Sequence, residues 1–206
     1  MAGIDESQSQ QAYFALEQRI ITLELAPGAL VTEKQLIELA GHGRTPVREA
    51  IQKLAWQGLV LVRPRVGLQI AEIHAGDHAE IMAVRRRLEP MAAGLVATHA
   101  DADQRQAVVD CAKAMTDAAV SGDIVGFLAA DKQFDLVLEQ ACPNHFLVAA
   151  LSPMQTHSRR LWFSQASLDK LDRSVSLHVA VIRAIHQGDT TAAEAAMDAL
   201  IGYLAG

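Results

Sequence analysis

Between residues 43 and 67 the chain reads GRTPVREAIQKLAWQGLVLVRPRVG, a stretch carrying five basic side chains, Arg44, Arg48, Lys53, Arg63 and Arg65, against a single acid, Glu49. The whole chain has a formal net charge of -6, so this excess is local. A guanidinium makes paired hydrogen bonds to a guanine edge or to phosphate oxygens, and the chemistry such a group offers is a grip on nucleic acid. The acidity elsewhere excludes a general polyanion coat, which would be basic throughout. Any one of these arginines reads equally as the solvated face of a helix; their grouping indicates an interface.

A second constellation lies in the other half. Asp131 and Asp135 are four residues apart and so share one helix face, and His178 sits mid-helix in SLHVAVI. Two carboxylates and an imidazole could hold a divalent ion inside a helical bundle. The same three side chains read alternatively as a solvated carboxylate pair and a core histidine bonded to a neighbour. Cys111 and Cys142 are too few and too far apart for a zinc site or a disulfide framework, and read as small buried hydrophobes.

The elements that must position the basic cluster come first in the chain. Tyr13, Leu16, Ile20, Ile21 and Leu23 approach a 3.6-residue spacing, which predicts a helix over 10–25 stopped by Pro27-Gly28. Thr32 with Gln35 forms a capping box for a short helix running to about Gly41. Thr45 then caps a third helix with Pro46 at its first position; Val47, Ala50, Ile51 and Leu54 face inward, and Gly58 ends it. LVLV, the turn RPRVG and LQIAEI read as a hairpin. Three helices and a hairpin make a winged helix-turn-helix over residues 1–73. Such a module sets its third helix in the major groove, which puts Arg44, Thr45 and Arg48 at the leading end and Arg63 and Arg65 at the wing tip.

Residues 76–206 show no strand pattern, and six helical segments predict an all-α bundle, making the protein mainly α in two domains. Pro90 kinks or restarts the first of these helices, and Asp101 with Gln104 caps the second. Gly122-Asp123 and Gly188-Asp189 each pair a helix-ending glycine with a capping aspartate, marking corners. No apolar run approaches the ~20 residues that cross a bilayer, and MAGIDESQSQQAYFALEQ is polar and acidic where a signal peptide is basic and then apolar. The expected location is cytoplasmic, with no membrane partner.

Residues 33–67, EKQLIELAGHGRTPVREAIQKLAWQGLVLVRPRVG, resemble the DNA-binding domain of GntR-family transcriptional regulators, whose core reads SRTPVREAL followed by GLV and a wing glycine. The resemblance implies that Lys34, Arg44, Thr45 and Arg48 contact phosphates and bases and that Gly67 is the wing glycine. His42 stands where the family has valine, and Gly43 where it has Ser or Thr. The second half is similar to the FCD effector domain through VRRRLEPMAA, DKQFD, PNHFL and HVAVIRAIHQGDTTAAEAAM, and in size to the short six-helix, VanR-like type.

That likeness implies a homodimeric regulator, usually a repressor, that binds a pseudo-palindromic double-stranded operator and responds to a small carboxylate metabolite. Arg85 matches the family arginine facing the ligand cavity; otherwise it is a helix-surface charge paired with Glu89. Arg86 and Arg87 are surface residues, and Trp162, Phe163 and Phe146 belong to the core or the cavity wall. Asp131, Asp135 and His178 match positions that bind a metal in the family and would contribute to the effector site. Asp135, however, replaces a histidine and Leu200 replaces the last ligand, which favours a metal-free or weak site and shifts any metal preference away from zinc. Two other readings stay open: a metal-dependent enzyme using these residues with His157 or Cys142, and a bundle that serves dimerisation alone.

Overall fold

In the computed structural model, which describes residues 7–206, α1 (Gln8–Ile21) starts at Ser7, whose hydroxyl accepts from the Gln10 N–H. The first six residues, MAGIDE, with the part of the N-terminal reading that falls on them, lie outside the described residues. Helix α1 ends before the expected Pro27-Gly28. Leu23 takes a left-handed backbone (φ 59°) and the Leu25 N–H turns back to the Arg19 carbonyl, so the chain has already reversed. α2 (Glu33–Ala40) carries the capping box: the Thr32 side chain accepts from the Gln35 N–H while the Gln35 side chain accepts from Thr32. Gly41, left-handed at φ 69°, closes it.

α3 (Arg44–Trp56) begins earlier than the sequence suggests. Gly43 is the cap, its carbonyl accepts from the Val47 N–H, and no side chain supports it. Thr45 therefore lies inside the first turn rather than at the cap. Pro46, one residue further in, is still in the turn whose N–H groups have no helical partner, so its missing donor costs nothing. The wing is β2 (Val60–Arg63) paired antiparallel with β3 (Gly67–Ile70), Arg63 opposite Gly67. A two-residue strand β1 (Leu30–Val31) adds to the far side of β3, giving the order β1-β3-β2; two residues are too short to show alternation in a sequence. Gly67 has φ 126°, a backbone conformation that L side chains rarely adopt, and this favours glycine where β3 begins beside β1. Tyr13, Leu16, Ile20, Leu36, Val47, Leu54, Leu59 and Ile70 form one core beneath these elements.

The chain divides at Ala75 and Gly76 into two units. The second holds, among the described residues, six helices: α4 (Asp77–His99), α5 (Ala102–Ser121), α6 (Ile124–Ala141), α7 (His145–Ser164), α8 (Leu168–Gln187) and α9 (Thr190–Leu204). α4 continues through Pro90 without restarting. Gly122 and Gly188 are both left-handed, and Asp123 and Asp189 cap the helices that follow, as their sequence positions imply. Both cysteines are buried and free, and burial with nearby carboxylates pushes the Cys111 thiol up to about 11. Phe146 departs from expectation: it is exposed in the first turn of α7, its ring against that of His145. No helix among the described residues is long and apolar enough to cross a membrane.

At the start of α5 the Asp101 carboxylate accepts from the Gln104 N–H at 2.8 Å and the Gln104 side chain returns the bond at 3.0 Å. Asp101→Ala should lower stability by about 1 kcal/mol, read as a shifted midpoint in chemical denaturation of the full chain. An unmoved midpoint would show that water replaces the box at no cost.

Candidate nucleic-acid interface and buried charge cluster

Arg44, Thr45 and Arg48 are exposed at the leading end of α3 because the buried stripe of that helix is filled by Val47, Ala50, Ile51 and Leu54. The Glu33 carboxylate of α2 reaches both arginines, 3.4 Å from Arg44 Nε and 2.9 Å from Arg48 Nε. It aligns the two guanidinium groups. Exposed pairs of this kind contribute on the order of 0.5 kcal/mol, so a phosphate or a base edge can displace them. Lys34 is exposed beside Glu38, with 3.8 Å between their charged atoms. Lys53, the fifth basic residue, is engaged differently: its ammonium lies 4.0 Å from the Tyr13 ring centre and bonds Gln10, which ties α3 to α1. At the wing, Arg63 and Arg65 are exposed; Arg63 Nε donates to Gln69 Oε1, and Arg65 holds a left-handed backbone at φ 66° that lets the turn close.

In the second unit the sequence-selected residues meet, and they bring two others. Arg85 on α4 is buried, not a surface charge; its Nε and Nη2 donate to the Glu89 carboxylate at 2.7 and 3.1 Å, and Nη1 donates to Ser158. Arg86 and Arg87 are exposed, Arg86 paired with Asp198. Asp131 and Asp135 share the inner face of α6, and His178 projects from α8 with Nε2 2.9 Å from Asp131 Oδ1. The other ring nitrogen, Nδ1, lies 2.7 Å from the Ser174 carbonyl. Both nitrogens face acceptors, an arrangement that favours the doubly protonated imidazolium. The rings of Phe127 and Phe134 meet it edge-on.

Arg159 of α7 is the residue the sequence reading missed. Its side chain is 4% exposed, and its Nη1 donates to Asp135 and, at 3.3 Å, to Asp131 Oδ2, one hydrogen for each carboxylate. Its Nη2 reaches Thr156 Oγ1 at 3.4 Å. A signal was present. Leu147, Leu151, Gln155, Ser158 and Arg159 fall at helical spacing on the buried face of α7, and an arginine on such a stripe must have a buried partner.

These contacts set the ionisation of the cluster. Burial works against the charge of Arg85, but Glu89 outweighs it and raises the pKa. Burial likewise opposes the charge on His178, and the bond to Asp131 outweighs it, again raising the pKa. For Asp131, burial is overcome by His178 and then Arg159, leaving the carboxyl well below the usual range. Burial dominates at Asp135 and pushes its carboxyl up against the pull of Arg159.

A divalent ion does not fit this arrangement. The point between the two aspartates is taken by a guanidinium, the histidine nitrogen that would coordinate is engaged with Asp131, and Leu200 is a buried aliphatic side chain without a donor. Among the described residues, no group of three His, Cys, Asp or Glu is arranged to hold a metal ion. The sequence-derived trio Asp131, Asp135 and His178 is joined by a fourth participant, Arg159, which is a cation and not a ligand. Neither His157 nor Cys142 lines the adjoining cavity.

That cavity has a volume of about 30 Å³ and is bordered by Arg85, Asp131, Arg159 and His178. Gln155 Oε1 and Ser174 Oγ also line it, buried and without hydrogen-bond partners. A larger chamber of about 330 Å³ shares Ser158, Trp162 and Leu204 with it, and is otherwise walled by residues such as His78, Met82, Lys170 and Tyr203. The small cavity has room for little more than a polar group or a water, and the chamber for a larger body.

Comparison with known proteins places both units. The profile of the bacterial regulatory proteins of the gntR family matches residues 8–70, and that of the FCD domain matches residues 80–203. A probable D-xylose utilization operon transcriptional repressor of Paenarthrobacter nicotinovorans is 30% identical over 184 residues, covering 86% of this chain and 80% of that protein. An uncharacterized HTH-type transcriptional regulator in an unstable DNA locus of Streptomyces ambofaciens is 40% identical over 77 residues, 37% of this chain and only 33% of the relative. The solved structure of E. coli McbR/YncC shares the fold with a TM-score of 0.80 at 19% identity, over 96% of this chain and 94% of that one. With its gntR-type DNA-binding unit and its FCD unit matched in sequence and in fold, the chain belongs to the GntR family of transcriptional regulators, in the branch that carries an FCD domain.

Proposed function

We propose that this regulator is a homodimeric repressor that reads a short pseudo-palindromic operator and releases it when a small carboxylate metabolite enters the helical unit. The observation that carries the first part is the set of exposed cations, Arg44 and Arg48 at the leading end of α3 and Arg63 and Arg65 at the wing tip, on an otherwise acidic chain. Two copies related by a two-fold axis would present two such ends to two half-sites. Val84 and Met91, apolar and exposed seven residues apart on α4, offer a face for pairing. Repression agrees with the name of the Paenarthrobacter relative, and the six helices of the second unit suit the short, VanR-like type. Acting on chromosomal DNA, the protein would work in the cytoplasm.

Effector sensing is supported by buried Arg85 at the edge of a cavity that still contains two unpartnered polar atoms, with the larger chamber adjoining it. A metabolite carboxylate would take the guanidinium fork of Arg85 from Glu89, a hydroxyl on the same ligand would satisfy Gln155 Oε1, and the chamber would hold the remainder. Asp131, Asp135 and His178 would shape the polar wall. The response is then a population shift, limited by the ligand's differential affinity for the DNA-bound and free states.

Arg48→Ala should cost about 1–3 kcal/mol of specific operator binding and relax the preference at one position, measured by selection from a random duplex library at near-physiological salt. An unchanged sequence preference would remove Arg48 from base reading. For the effector, Arg85→Ala combined with Glu89→Gln avoids leaving a bare buried carboxylate. This variant should bind operator as the parent does yet lose release by organic acids in a mobility-shift titration; a normal release curve would rule out Arg85 as the anchor.

A further inference from the structure

Within the cluster around Arg159, three basic side chains meet three acidic ones. Arg85, Arg159 and His178 are the cations, Glu89, Asp131 and Asp135 the carboxylates, and the members touch one another in pairs or bridges. The bridging member is Arg159. Two carboxylates from successive turns of α6 converge on one of its nitrogens, as two carboxylates converge on a divalent ion, and an imidazole from α8 completes the same corner. The cation arrives on α7 as part of the chain.

We propose that Arg159 is the resident cation of the helical unit: it holds Asp131 and Asp135 in place of a divalent metal ion, so the unit folds and senses its ligand without metal. Three features follow from this single assignment. The aspartates need a positive charge to lie side by side in a buried place, and the guanidinium provides it with one N–H for each. His178 needs no free lone pair, and its two nitrogens are spent on Asp131 and the Ser174 carbonyl. Leu200, which stands where the resemblance implies a last ligand, is a buried aliphatic side chain with no donor to offer.

A metal ion from solution competes poorly here. Arg159 is tethered beside its partners at high effective concentration, and an incoming ion would have to expel it into a packed interior. It would also have to break the contact between His178 Nε2 and Asp131 before that nitrogen could coordinate. With the guanidinium gone, the first obstacle is removed. Asp131, Asp135 and deprotonated His178 would then form a three-ligand site with room for water at the remaining positions.

The test is metal content and metal response of tag-free full-length protein. Wild type should contain no stoichiometric metal by elemental analysis, and its melting temperature should move neither with chelator nor with added Mn²⁺, Ni²⁺ or Zn²⁺. Arg159→Ala should bind about one equivalent by calorimetry, melt higher with metal than without, and lose both effects when Asp131→Asn is added. Stoichiometric metal in wild type, with stability that falls on chelation, overturns the proposal, as does a folded Arg159→Ala that ignores all three ions. If Arg159→Ala is recovered folded only when metal is supplied, the exchange of cations is demonstrated directly. Should it fail to fold under any condition, Arg159→Lys decides: a protein that folds, alone or with added metal, retains the proposal, and one that fails to fold although it keeps a cation at this position refutes it.

Discussion

The six ionisable side chains clustered inside the helical bundle are tolerable there only if each charge meets its opposite at hydrogen-bonding distance. An unpaired ion in such a place costs several kcal/mol, more than most single contacts contribute. The second unit is organised by that constraint. Glu89 is committed to Arg85 within α4, Ser158 of α7 takes the remaining Arg85 donor, Arg159 of the same helix joins α7 to α6, and His178 joins α6 to α8. Four of the six helices are thereby fixed in register by polar bonds that have one satisfactory geometry, where apolar packing alone would accept several. The rings of Phe127 and Phe134 give His178 apolar neighbours, and a less polar surrounding strengthens the bonds it makes.

The first unit solves a different problem, the storage of positive charge on a surface that must stay available. Buried packing of α3 ends at Leu54 and Val47, leaving the polar leading turn to be ordered by Glu33 from α2. A carboxylate shared between two arginines holds both without burying either. Because such exposed bonds are weak, the guanidinium groups are positioned in advance yet exchangeable, which lowers the ordering cost of a DNA contact. Lys53 belongs to another task, since its ammonium rests on the Tyr13 ring and helps seat α3 on α1.

Much of this was legible in the residues because it is local. Capping boxes at Thr32 and Asp101, glycine-aspartate corners at positions 122–123 and 188–189, and the apolar stripe of α3 are set by neighbours within four residues, and the structure has them where the sequence puts them. The start of α3 was misjudged because a backbone carbonyl, that of Gly43, serves as cap and leaves no side-chain signature. Strand β1 escaped because two residues define no period. The partner of Asp131 and Asp135 escaped for a deeper reason: Arg159 lies 24 residues beyond Asp135 on a different helix, and only the packing of α6 on α7 brings them together. A carboxylate pair with a histidine reads as a metal site when the residue types are known and the cation is not.

A charge-balanced cluster also dictates how a ligand can be felt. An anion entering beside Arg85 makes the count uneven by one, and the interior can absorb that only by releasing a resident carboxylate, by shedding negative charge through protonation, or by moving a helix so that water reaches the surplus. Asp135, whose carboxyl burial already pushes upward, is the member best suited to take a proton. Glu89 lies one turn from Arg85 on α4, so its release would loosen that helix where it contacts α7 through Ser158. Either way a ligand of the proposed kind would be converted into a change in helix-to-helix bonding without any group having to travel far. A metal-centred bundle could absorb the same anion as one more ligand on the ion. With arginine at the centre such an anion would have to displace something, and displacement would couple its binding to conformation.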